Sequence, residues 1–191
     1  MLQTPQFACT SHQAVVRALC LLSPLLVLMP LPLQAADAID LGQQVPDVQA
    51  ISEGLFPEDA CKELQQAGFK CMGFKPAVRF SLPSANFKLG SADLPDLLRK
   101  QLDRFADVLR GKRDSAQMLR IEGHADATGS DDVNLPLSQR RAEAVRDYLV
   151  KSGADQAMLQ AVGMGSRAPK ISADPFAAEN RRVEIGRQAV P

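Results

Sequence analysis

From Ala77 to Arg187 the apolar positions alternate between a two-residue and a three-to-four-residue period. AVRFSL (77–82) sets Val78, Phe80 and Leu82 against Arg79 and Ser81, the signature of a strand. The Ser-, Pro- and Gly-rich SLPSANFKLGSAD then predicts a loop. Leu94, Leu97, Leu98, Leu102, Phe105, Val108 and Leu109 recur at spacings of three and four, which predicts a helix over 94–110 with Gly111 as its stop. Met118, Arg120 and Glu122 alternate with Leu119, Ile121 and Gly123, so 118–124 reads as a strand. A second helix runs over 134–151, with Asn134 as N-cap and Pro136 tolerated in the first turn. A strand over 158–164, a turn at GMGSRAP, a short helix over 175–180 and a last strand over 181–187 complete the pattern. The order β-α-β-α-β(-α)-β predicts an α/β sandwich, a mixed sheet with helices packed on it. Residues 37–53 show no clear period and read as a loosely attached arm, and 54–74 carry one short helix over 58–67. The expected division is an arm over 37–75 and a compact domain over 76–191.

Residues 1–36 do not share this composition. They hold no acid and one base, Arg17, followed by the apolar run ALCLLSPLLVLMPLPL and then QAADA. A basic start, an apolar centre and a small-residue exit describe a secretory signal peptide, with cleavage after Ala35, Ala36 or Ala38. The alternative is a retained membrane anchor. Pro24, Pro30 and Pro32 suit a spanning helix poorly, and the run is shorter than the roughly 20 apolar residues a span requires. Cys20 lies near the start of the apolar run, not at its exit, which is the wrong place for a lipidated cysteine.

Removal of the segment leaves Cys61, Cys71 and one histidine, His124. In an exported chain an isolated cysteine pair reads as a disulfide, with two separate thiols as the alternative. Within one helix the pair would stand about 15 Å apart, so bridging requires the chain to turn back after Gly68.

The whole chain is 46% hydrophobic and 23% charged, enough to build a core, and its formal net charge is zero. That balance argues against nucleic acid as a partner, which a basic surplus or stripe would signal.

Chemistry concentrates in IEGHADATGSDDVNLPLSQRRAEAV (121–145). On the second helix Arg141 shares the stripe of Leu137, Val145 and Tyr148, whereas Arg140 lies with Glu143, Asp147 and Lys151 on the solvated face. A guanidinium aimed at the protein body needs a carboxylate, from the protein or from a ligand. Asp126 lies just past a strand end, in the loop leading to this helix. One reading pairs Asp126 with Arg141 alone. The other makes them two halves of a site for an amino-acid head group: the Arg fork takes the carboxylate, the Asp takes the ammonium, and the helix N-terminus favours the anionic end.

These residues also carry a resemblance. IEGHAD, a Gly three residues on, Asn134, LSQRRAEAV, VGMG and ENRRVEI resemble, in order, the OmpA-like C-terminal domain, a peptidoglycan-binding family, over about 76–188. The resemblance implies non-covalent binding of peptidoglycan, with no bond made or broken and no cofactor. It implies that Asp126 and Arg141 hold the diaminopimelate head of the stem peptide, and that Asn134, Asn180, Arg181 and Arg182 line or support the same site. It places the protein in the periplasm, with an outer-membrane association open, where it would stabilise the cell envelope. This chain departs from the family pattern at Ala125, where Thr or Ser is general, and at Val133, where Tyr is general.

Other chemistries find less support. DATGSDD lacks the ligand spacing and closing Glu of a calcium loop. A lone mature histidine gives neither a His/Cys zinc set nor a base for nucleophilic catalysis, and His124 reads as a hydrogen-bonded strand-end residue. Two further readings remain: a membrane-anchored tether to the wall, and an adaptor whose 54–74 piece, with Phe56, Phe69 and Phe74 near the cysteines, binds another envelope protein.

Overall fold

The two segments with the clearest apolar alternation, 77–82 and 118–124, supply the strands on either side of the central one. The computed structural model describes residues 38–188 apart from 74, 84–86, 89 and 114. The leader expected over 1–36 lies outside the described residues. Five strands, β1 (Ile39–Asp40), β2 (Phe80–Pro83), β3 (Leu119–His124), β4 (Leu159–Gly165) and β5 (Arg182–Arg187), join in the spatial order β1-β2-β5-β3-β4. β5 runs antiparallel to β2 and β3, while β1·β2 and β3·β4 are parallel, so the sheet is mixed as expected. The register sets Ile121 opposite Ile185 and Leu82 opposite Val183, and all four are fully buried.

Four helices accompany the sheet: α1 (Val48–Leu55), α2 (Pro57–Gln66), α3 (Asp96–Arg110) and α4 (Asp131–Lys151). α4 lies across β3 and β4, α3 packs beside it, and α1 packs on α3. Leu98, Leu102, Phe105 and Leu109 of α3 enter the core, where the Phe105 ring meets Phe80 edge-on at 5.5 Å between centroids.

The segment read as a loose arm carries a helix that packs on the core. Asp47 caps α1 by accepting from Gln49 N, and Ile51 and Leu55, four positions apart, are fully buried. Gly54 closes the contact: a Cβ there would stand 2.7 Å from Phe80 Cζ. Gln101 of α3, itself buried, donates to Gly42 O at 3.1 Å and Gln44 O at 2.8 Å. The apolar spacing Val48, Ile51, Leu55 was present in the sequence but spans barely two turns. Beyond α1, α2 runs to Gln66, Gly68 takes φ +83°, and Cys61 and Cys71 are bonded with their Cα atoms 5.5 Å apart.

α4 begins three residues before the expected start. Ser130 is its N-cap, and Asp131 and Asp132 fill the first turn, where the helix dipole favours acids. Asn134 is therefore not a cap but sits in the second turn, freeing its amide for another use. Pro136 lies deeper than expected, inside the helix, which continues past it. The short helix expected over 175–180 reduces to one 3₁₀ turn, Ala178–Asn180.

Two glycines let α4 sit close to the sheet. Gly123 and Gly163 are register partners on β3 and β4, and a Cβ on Gly163 would stand 2.6 Å from Gln139 N. Ser138 and Gln139 then lock the helix to β4. Gly165 N donates to Ser138 Oγ at 2.9 Å and Gly163 N to Gln139 Oε1 at 2.5 Å.

Candidate functional site

The loop between β3 and α4 fixes Asp126. Ala125 N donates to Gly165 O at 2.8 Å and Ala127 N to Pro175 O at 2.9 Å, tying the loop to its neighbours. The Asn134 amide, released from capping, donates to Asp126 O at 3.2 Å and Gly129 O at 3.4 Å. Gly129 makes the turn at φ +98°, a conformation that favours glycine. Thr128 N donates to Asp126 Oδ1 at 2.9 Å, and Arg181 Nη1 donates to Oδ2. Burial acts to raise the Asp126 pKa, but the Arg181 and Thr128 hydrogen bonds and the Arg181 charge outweigh it and hold the group below the usual carboxylate value.

Arg141, three residues past Ser138 on α4, is buried. Its Nε donates to Ser91 O at 3.0 Å and its guanidinium lies 4.8 Å from the centre of the Phe87 ring. The simpler pairing of Asp126 with Arg141 is not formed: Asp126 pairs with Arg181, and among the described residues no carboxylate lies within 4.0 Å of Arg141. Burial is the main force lowering the Arg141 pKa. Arg181 adds to it, the attraction of Asp126 opposes it, and Arg140 adds a smaller repulsion.

Asp126, Asn134, Arg141 and Arg181 line one open cavity of about 500 Å³, together with Phe87, Ala125, Val133 and Leu137. Two cations face one anion across largely apolar walls. Such a site takes a carboxylate readily, and Asp126 keeps acceptor capacity for an ammonium beside it.

Of the other residues singled out, Asn180 is fully buried and bonds Ile171 N at 2.8 Å and Asp174 O at 2.8 Å, which holds the loop carrying Pro175 against the site. Arg182 does not line this cavity. Successive strand residues face opposite ways, and its guanidinium bonds Glu184, Asn180 O and Ala168 O on the other side of the sheet. His124 also departs from expectation: it is buried, yet neither ring nitrogen has a hydrogen-bond partner among the described residues. Arg140 is exposed, as its place on the helix predicted. Sequence reading missed Phe87 and Thr128, since neither stands in a periodic element.

The model of the OmpA family matches residues 86–182, and the chain belongs to that family. It is 38% identical over 101 residues to the peptidoglycan-associated lipoprotein of Pseudomonas aeruginosa, covering 52% of this chain and 58% of the relative. Against the peptidoglycan-binding protein ArfA of Mycobacterium tuberculosis it is 45% identical over 86 residues, 44% of this chain and 26% of the relative. Against the outer membrane porin F of Pseudomonas aeruginosa it is 48% identical over 119 residues, 60% and 33% of the two chains. A solved structure, the peptidoglycan-associated lipoprotein of Burkholderia pseudomallei, matches at 32% identity with a TM-score of 0.47 over 51% of this chain and 83% of that one. The chain thus spans between about a quarter and three-fifths of the length of these curated relatives. No helix among the described residues is long and apolar enough to cross a membrane.

Proposed function

We propose that the chain binds peptidoglycan non-covalently, through the free amino-acid head of diaminopimelate in the stem peptide, and thereby helps to stabilise the envelope. The ligand carboxylate meets Arg141 and its ammonium meets Asp126, with Arg181 orienting the aspartate and Asn134 holding the loop. The observation that carries this reading is the Arg141 guanidinium: buried, stacked on Phe87, without a protein carboxylate among the described residues, and opening on the cavity that Asp126 also lines. A ligand carboxylate would supply the missing counter-charge. Family membership and the names of the relatives support the polymer, and the site chemistry supports the amino-acid head. The same relatives support a periplasmic location, with outer-membrane association open.

The test is co-sedimentation with purified sacculi. Wild type and Arg140→Ala are retained and released by free diaminopimelate, while Asp126→Ala and Arg141→Ala stay in the supernatant with their fold intact. Equal retention of all four proteins refutes the assignment.

A second reading rests on the disulfide loop, where Phe69 is 65% and Met72 96% exposed. These side chains suit an adaptor surface for another envelope protein. Pull-down from envelope extract with wild type and with Phe69→Ser/Met72→Ser tests it, and an identical set of captured proteins removes it.

A further inference from the structure

The four buried side-chain nitrogens that lack a hydrogen-bond partner among the described residues gather in one place: Arg79 Nη2, Arg120 Nε and both ring nitrogens of His124. All three side chains line a second cavity of about 690 Å³, shared with Glu122, Arg182 and Glu184. It opens on the sheet face opposite to the one that carries Leu119 and Ile121 into the core. Alternation along β3 puts Arg120, Glu122 and His124 on this face, and the register sets Glu122 opposite Glu184 and His124 opposite Arg182.

Two carboxylates directly opposed across strands repel. Arg79 separates them, with Nε 3.0 Å from Glu184 Oε2 and Nη2 against Glu122. Gly186 makes room for it, since a Cβ there would stand 2.6 Å from Arg79 Cγ. Arg120 Nε lies 2.9 Å from Glu122 and Arg182 Nε 2.6 Å from Glu184. The Arg79 Nη2 and Arg120 Nε contacts with Glu122 bring the charges together without aligned hydrogen bonds. His124 is 98% buried, with Nε2 3.5 Å from Glu122 Oε2.

Glu122, His124 and Glu184 offer ligand atoms within 4.8 Å of one another, which on donor type alone could suit a divalent cation. The Arg79 guanidinium already occupies the space between the carboxylates. Three arginines face two glutamates, so a dication would enlarge a positive surplus. The unsatisfied atoms point to the opposite sign. The arginine nitrogens are N–H donors, and one imidazole nitrogen donates as well. Arg79 Nη2 and Arg120 Nε meet the Glu122 carboxylate, which leaves the His124 ring without an aligned partner in a pocket of net positive charge, where an oxyanion satisfies it.

We propose that this cavity is a second binding site, independent of the Asp126–Arg141 cavity, and that it takes a compact oxyanion, a carboxylate or a phosphate group. The anion accepts from the Arg120 guanidinium and the His124 ring, which both line the cavity.

The chain holds two histidines, His12 and His124, and the ring resonances that persist in His12→Gln are those of His124 and report on the site. The full chain is titrated with inorganic phosphate and, separately, with citrate, against sodium chloride at equal ionic strength. Saturable movement of the His124 ring signals by phosphate alone assigns a phosphate group, by citrate alone a carboxylate group, and by both the shared chemistry. Arg120→Gln removes a donor that is 34% exposed, so the fold tolerates the change, and it weakens binding by roughly tenfold or more. Arg120→Lys weakens it less, and Arg141→Ala leaves it unchanged. Absence of a saturable shift with either anion overturns the proposal, as does an affinity that Arg120→Gln leaves unaltered.

Discussion

Replacing Gly163 by alanine tests how the fold sets the binding site. The added methyl carbon would stand 2.6 Å from Gln139 N and 2.8 Å from Gln139 Cα, where unstrained contacts need about 3.5 Å or more. The obstacle is the backbone of α4, which has no rotamer to change, so the helix must move away from β4 by roughly 1 Å. Overpacking of a core contact costs about 1–3 kcal/mol, and a rigid obstacle places this one near the upper end. For a domain of this size 1 kcal/mol corresponds to about 2–4 °C, so the melting midpoint falls by ~6–12 °C in a thermal unfolding scan followed by circular dichroism. The same displacement breaks the Gly163 N–H bond to Gln139 Oε1 and carries Arg141, two residues further on, away from Asp126. Retention on sacculi therefore falls at temperatures where the variant is still folded. A midpoint within about 2 °C of wild type would refute the idea that the glycine pair sets the helix position.

Other consequences concern the arm, the acid limb of stability and the bridge. Ile51→Ala empties a fully buried position and lowers unfolding free energy by about 2–5 kcal/mol in urea titration; a change under about 0.5 kcal/mol would show that α1 is not part of the core. Asp126 has a folded pKa below its unfolded value, so its contribution is present above pH 3.8 and is lost as pH falls through the lower folded value. Asp126→Asn is thus less stable than wild type at pH 7, and the two converge in strong acid; a constant difference down to pH 2 contradicts this sign. Reducing Cys61–Cys71 releases a short loop whose closure is worth about 2–3 kcal/mol, seen as faster amide exchange over α2 with β3 unchanged.

The strands β3 and β5 and the helix α3 could be read from the chain because each buries one face and leaves the other polar, which writes a period into the sequence. α1 could not, because its eight residues give only three large apolar positions, too few to outweigh a polar surround. The start of α4 was misplaced because two N-cap candidates, Ser130 and Asn134, lie four residues apart, and the acids between them favour the earlier one. Asp126 and Arg141 stood out as half-sites, one by its loop position and one by its place on an apolar stripe. Their actual partners were hidden. Arg181 reaches Asp126 from 55 residues away, and Phe87 and Ser91 reach Arg141 from a loop without a period. The second cavity was invisible for a related reason: Arg120, Glu122 and His124 alternate in plain view, but only the β3·β5 register brings Glu184 and Arg182 beside them.

Calorimetric titration with free diaminopimelate addresses the amino-acid cavity most directly. Wild type is expected to bind with one saturable site, and Arg141→Ala to lose detectable binding while melting at the wild-type temperature within a few degrees. Undiminished binding by a folded Arg141→Ala, or no binding by wild type at millimolar ligand, would contradict the account.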